Sequence, residues 1–165
     1  MPVSQGTPSP TQPWSEQAGV WDAAGFVELA HRALEERSFP TGRYVNGRMV
    51  SVLRSPMLDN AVGVALGFST IPPGASTEAH HHVAEEIAYI MSGTGCVEIG
   101  DKRFDLAPGS VIFTPSNSVH RTTATGSEPL VSMWVYSPSG SELRWLTEDE
   151  VVDERPVGAT SKGPT

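Results

Sequence analysis

Two hydrophobic periods divide the chain. From Asp22 to Arg37 the apolar residues Phe26, Leu29, Ala30, Ala33 and Leu34 recur at helical spacing, Asp22 stands where an N-cap is needed, and Glu28 precedes Arg32 by four positions. One helix is predicted there, and Pro40 and Gly42 end it. Beyond it the period shortens to two. Short apolar or β-branched runs are predicted as strands at Tyr44 to Val45, Arg48 to Leu53, Val62 to Thr70, Thr77 to His82, Ile87 to Met91, Cys96 to Ile99, Arg103 to Leu106, Val111 to Thr114, Val119 to Ala124 and Leu130 to Tyr136. Turn residues separate them: Asn46-Gly47, Pro72-Pro73-Gly74, Gly93-Thr94-Gly95, Gly100-Asp101, Pro108-Gly109, Pro115-Ser116-Asn117 and Gly126. Short strands at such regular spacing predict an all-β antiparallel sandwich or barrel.

The ends read differently. Residues 1–20 carry Pro2, Pro8, Pro10 and Pro13 among Ser, Thr, Gln and Gly, too little apolar surface to offset ordering, and are expected to form a flexible tail. Residues 21–43 then form the helical segment, 44–137 the barrel and 138–165 an acidic, solvated extension, with Glu142, Glu148, Asp149, Glu150, Asp153 and Glu154 against Arg144 and Arg155.

Charge narrows the function classes. Eleven Lys and Arg against nineteen Asp and Glu give a net charge of −8, which repels nucleic acid and anionic lipid. No apolar run is long enough to span a membrane, and Met1 to Pro13 has neither the basic start nor the apolar middle of a secretory signal. A single cysteine, Cys96, permits no intramolecular disulfide and is expected to be a small buried hydrophobe. A cytoplasmic location follows as an expectation.

Histidine placement carries the chemistry. Four of the five histidines fall at His80-His81-His82 and His120, and Glu86 follows His82 by four positions. On a strand, His80 and His82 point to one face and His81 to the other. Glu86, at the start of the next strand, can return its carboxylate to the same interior, and His120 can complete a set of three nitrogens and one oxygen. That set suits Fe(II), Mn(II), Ni(II), Co(II) or Zn(II) and not Ca(II). Glu85, one position earlier, is the rival carboxylate.

The stretch Gly74, His80, His82, Glu86, Gly93 reads G-x5-H-x-H-x3-E-x6-G and resembles the first motif of the cupin superfamily with every spacing kept. Pro108-Gly109, Pro115 and His120 resemble the second, in its Pro-Gly form, with Ala124 where the plant germin branch has asparagine. The resemblance covers about residues 61–136. It implies a double-stranded β-helix, the jelly-roll cupin barrel, with His80, His82, Glu86 and His120 as metal ligands. It also implies one divalent transition metal per chain, with Fe(II) placed ahead of Mn(II), Ni(II) and Zn(II).

Four protein ligands leave up to two open positions on an octahedral metal, room for a chelating substrate or for substrate plus O2. The function expected is that of a metal-dependent enzyme acting on a small organic molecule. An Fe(II)-dependent dioxygenase like the quercetin dioxygenase-like cupins is placed first, a non-redox isomerase, cyclase or lyase second, and a non-catalytic ligand-binding barrel third. Glu86 is also the candidate catalytic base. Strand alternation places Phe68, Ile90, Ile112, Thr122 and Met133 around the substrate, with Val135 beside them. Arg103 and Arg121 are the nearest basic side chains, so the expected ligand is largely apolar or aromatic with one or two chelating oxygens. A homodimer is expected, with Trp134, Tyr89 or Met91 on the outward face.

Overall fold

The computed structural model describes residues 22–58 and 61–147; the expected tail of residues 1–20 and the end of the acidic extension lie outside them. Helix α1 (Ala23–Glu36) is followed by β1 (Gly42–Val45), β2 (Arg48–Arg54), β3 (Ala65–Ile71), β4 (Glu85–Ser92), β5 (Gly95–Ile99), β6 (Lys102–Leu106), β7 (Val111–Thr114), β8 (His120–Ala124), β9 (Leu130–Ser137) and a short α2 (Leu143–Leu146). The strands form a six-stranded sheet, β1-β2-β3-β9-β4-β7, and a three-stranded sheet, β6-β5-β8. The paired strands are antiparallel throughout. This is the antiparallel barrel with one N-terminal helix that the pattern predicts, in the jelly-roll form that the resemblance implies.

Local chemistry explains the elements. The Asp22 carboxylate accepts from the Gly25 N–H at 3.2 Å and caps α1, and Arg37 closes it in the left-handed region at φ 51°. Asn46 and Gly47 both take positive φ, 49° and 79°, the pairing that a tight β1–β2 hairpin requires. The predicted strand at Thr77 to His82 is instead an irregular segment, tied to β8 by isolated bridges at Ser76–Thr123 and His80–His120. Cys96 is buried and unbonded to sulfur, as expected.

Strands β2 and β3 are buried on both faces. Their outer side chains Met49, Leu53 and Phe68, with Val131 of β9, pack under Phe26, Leu29, Ala30 and Ala33 of α1. Phe68 lies edge-on between Phe26 and Phe39, 5.2 Å from each. The inner face holds Val50, Val52, Ala65, Ile71, Ala88, Ile90 and Trp134, which join Val97, Leu106 and Ile112 in the barrel core. Where α1 does not reach, the outer face of β4 and β7 stays exposed at Ile87, Tyr89, Val111 and Phe113.

Within the first part of the acidic extension Glu142 and Trp145 are buried. Glu142 is fully buried, accepting from Ser55 Oγ at 2.8 Å and from the Gly140 N–H at 2.6 Å, two donors that offset its burial. Trp145 of α2 is 3 % exposed and closes part of the barrel interior. Charge composition alone does not register such local pairing.

Candidate metal centre

Main-chain pairing brings the histidines together. His80 and His120 face each other across neighbouring backbones, exchanging N–H···O bonds of 3.0 and 2.8 Å, so both side chains point to the same side. His82 lies one alternation further and receives the Asn117 N–H on its carbonyl at 2.8 Å, which anchors it to the turn before β8. Glu86 opens β4 on its inner face, in register with Tyr136 and Thr114. The ligand-type nitrogens of His80, His82 and His120 all lie within 4.8 Å of one another, a grouping that could hold a metal ion. Glu86 Oε2 stands 3.1 Å from His82 Nε2 and 3.4 Å from His120 Nε2. His81 is outside the group, and Glu85 is exposed.

Each histidine is held in one tautomer by a backbone carbonyl two residues away. His80 Nδ1 meets Glu78 O at 2.8 Å, His82 Nδ1 meets Ala84 O at 2.8 Å, and His120 Nδ1 meets Ser118 O at 2.9 Å. A carbonyl only accepts, so all three Nδ1 atoms carry the proton and the Nε2 atoms are left as ligand atoms. The Glu86 carboxylate also only accepts. Its contact with His82 Nε2 therefore needs either a second proton on that ring or a cation in its place.

The charges agree. Burial, with His120 nearby, pushes His80 down to about 3, so its Nε2 is a free donor atom at neutral pH. Burial works against ionisation of Glu86, but hydrogen bonds and charge from His120 and His82 outweigh it and hold the carboxyl at about 2. Burial likewise opposes a charge on His82, and the Glu86 carboxylate overcomes it and raises that ring. Burial and then Glu86 keep the Tyr136 phenol well above its usual range, so it is a neutral group.

Beside these ligands lies a cavity between the sheets, lined by Ile90, Ile112, Thr122, Thr77, Trp134, Tyr136 and Trp145, among others. Phe68 and Met133 are not there. They are register partners on the outer face of β3 and β9, and Phe68 belongs to the layer under α1. Val135 shares that face with Met133. Trp134, expected outward for a dimer, is 2 % exposed and inside. Both faces of β3 and β9 carry apolar residues, so hydrophobicity did not tell inner from outer. Arg121 is exposed, and Arg103 pairs loosely with Glu98 at 3.8 Å. The cation that does line the cavity is Arg48, paired with Glu78 at 3.0 Å; burial lowers its pKa and Glu78 opposes that. No motif marks it.

Gly67 makes the interior possible. A Cβ there would come within 2.2 Å of both the Ser51 carbonyl oxygen and the Trp134 ring. The indole that occupies this space stacks on Tyr136 at 4.6 Å, and Tyr136 in turn packs on His82 at 4.6 Å. Gly67→Ala is expected to cost at least about 1–3 kcal/mol by overpacking and to weaken metal retention through this stack. Denaturant unfolding and metal analysis of the variant check both, and an unchanged midpoint refutes the crowding argument.

With the geometry in view, the likenesses to known proteins take on meaning. The Cupin domain family matches residues 67–136. L-ectoine synthase of Vibrio cholerae is 31 % identical over 115 residues, 68 % of this chain and 82 % of its own length. An uncharacterized protein of Methanocaldococcus jannaschii is 29 % identical over 86 residues, 52 % of this chain and 69 % of its own. Among solved structures, a Cupin 2 conserved barrel domain protein from Salinispora arenicola superposes with a TM-score of 0.52 at 23 % identity, covering 59 % of this chain and 81 % of that one. Barrel, histidine grouping and relatives agree, and this chain belongs to the cupin superfamily.

Proposed function

We propose that the chain is a metal-dependent enzyme acting on a small organic molecule, with one divalent transition metal held by His80, His82, Glu86 and His120. The observation that carries this reading is the set of three histidines with Nδ1 tied to carbonyls and their ligand-type nitrogens grouped together, with Nε2 of His82 and of His120 facing Glu86. Three imidazoles and a carboxylate match the donor preferences of Mn(II), Fe(II), Ni(II) and Zn(II). Such an ion, when bound, supplies Lewis acidity that polarises a substrate carbonyl or hydroxyl.

The rest of the work belongs to the chain. Glu86, ionised at neutral pH, would take up and return a proton through a carboxylate oxygen not engaged by the ion. Thr77 and Thr122 offer hydroxyls for orientation, and Ile71, Ile90, Ile112 and Trp134 keep water from the reacting group. The reaction we assign is non-redox, an isomerisation, cyclisation or elimination, because the curated relative is named as a synthase and not as an oxygenase. Fe(II)-dependent dioxygenation with O2 is the second reading, favoured by a donor set that suits Fe(II) equally.

The test is elemental analysis of protein purified without tag or chelator, followed by turnover of hydroxy- and keto-acids, phenols and diketones with and without air. Manganese, nickel or zinc near stoichiometry with anaerobic turnover is the expected result. Iron with O2 uptake moves the second reading ahead. No metal after reconstitution removes both and leaves a non-catalytic binding barrel. A homodimer belongs to the same proposal; the exposed Ile87, Tyr89, Val111 and Phe113 supply its apolar surface, and sedimentation equilibrium decides it.

A further inference from the structure

Arg48 is an unusual residue to find inside a barrel. It is 3 % exposed, sits on the inner face of β2 and lines the cavity that also holds His80, Glu86 and His120. A guanidinium has five N–H donors, and burial makes each unused one costly. Arg48 meets Glu78 Oε2 through Nη2 at 3.0 Å, while its Nε is buried without a partner.

Glu78 does not exhaust the local positive charge. The Arg144 guanidinium lies over the Trp145 ring at 4.4 Å, and that of Arg48 approaches the same ring at 5.1 Å. Among the described residues Arg144 pairs with no carboxylate, and its Nε is also buried and unpartnered. Two guanidiniums and one carboxylate thus leave an excess positive charge around Trp145, a side chain that lines the cavity together with Arg48. In a water-poor pocket such a fork recognises a planar anion.

We propose that Arg48 anchors a carboxylate of the substrate, so that the substrate class is a small organic acid. This deepens the function proposed above and takes from it that the other end of the substrate meets the metal. The unused Nε donor is the atom that the carboxylate satisfies, while Glu78 fixes the guanidinium through Nη2.

Two chelators of equal length separate the ends. Succinic monohydroxamic acid and butyric hydroxamic acid share the same hydroxamate metal-binding group and differ only in a terminal carboxylate or methyl. Calorimetric titration of both is run on manganese-loaded and on metal-free protein. The carboxylate probe is expected to bind roughly 10- to 100-fold tighter to the loaded protein, the range of a charge-assisted hydrogen bond. Arg48→Gln combined with Glu78→Gln, which removes both members of the ion pair together, should reduce that ratio to within about twofold at unchanged metal content. Arg48→Lys, which keeps charge without the fork, should give an intermediate ratio.

Equal affinity of the two probes for the wild-type protein, or binding of neither, overturns the proposal without any variant having to fold. A ratio that survives in the double variant does the same. Failure to take up manganese overturns the metal reading instead. In that case a carboxylate preference in the metal-free protein, lost in the double variant, upholds Arg48 alone, and its absence overturns Arg48 as well.

Discussion

Metal content is expected to fall from about one atom per chain to less than about a tenth when His80, His82 or His120 is replaced by alanine. Substitutions that merely orient a ligand already lower affinity about 10- to 100-fold, and these remove the ligand itself. His81→Ala is expected to retain full metal, because its ring stands outside the group although it lies between two members in sequence. Variants of His82 and His120 have a second consequence. Each is a partner of the partly buried Glu86 carboxylate, so each alanine leaves that charge with one contact fewer and lowers the stability of the metal-free protein as well. His80 makes no such contact, and His80→Ala should lose metal with a smaller effect on the metal-free fold. Elemental analysis and thermal unfolding of the four variants test this pattern. Equal metal content in all four would sink the ligand assignment.

Phe68→Ala is expected to give the largest loss of stability of any single substitution considered, about 3–5 kcal/mol. The ring is completely buried and makes edge-to-face contacts with Phe26 of α1 and Phe39 beyond it, so it ties the helix to the sheet. The remaining outer-face residues, Met49, Leu53 and Val131, lie on paired strands and cannot collapse into the space. Metal affinity of the folded fraction should stay within about threefold of wild type, since Phe68 lines no part of the cavity. Urea denaturation with metal titration in the native baseline measures both quantities. A Phe68→Ala protein of normal stability but altered ligand affinity would return this residue to the substrate pocket, where strand alternation counted from the apolar pattern had put it.

The contrast between Phe68 and the histidines shows which kind of information is local. The hairpin at Asn46-Gly47, the cap at Asp22 and the strands around Cys96 and Val111 follow from backbone preferences of a few adjacent residues, and they formed where such preferences put them. The histidine grouping is nearly as local. Its members come from two short stretches, and the spacing within each fixes which side chains share a face. Even the loss of regular strand at Thr77 to His82 does not disturb it, because the bridge between His80 and His120 preserves the alternation.

The rest of the cavity depends on contacts between distant segments. On β3 and β9 the residues of both faces are apolar, and which face is interior is settled by α1 covering Phe68 on one side and by Gly67 leaving room for Trp134 on the other. Arg48 and Trp145 are about a hundred positions apart in the chain, yet they meet at the same wall. Glu142 reads as part of a solvated acidic end and is buried, because Ser55 and the Gly140 amide supply the donors it needs. By itself, then, the amino-acid sequence determined the barrel, its turns and the four residues gathered at its centre, since turn chemistry and a period of two act over a few residues. Only the tertiary structure decided the walls, the buried cation and the phase of each strand. These depend on which surfaces cover one another and on charges that become partners only after the chain has closed.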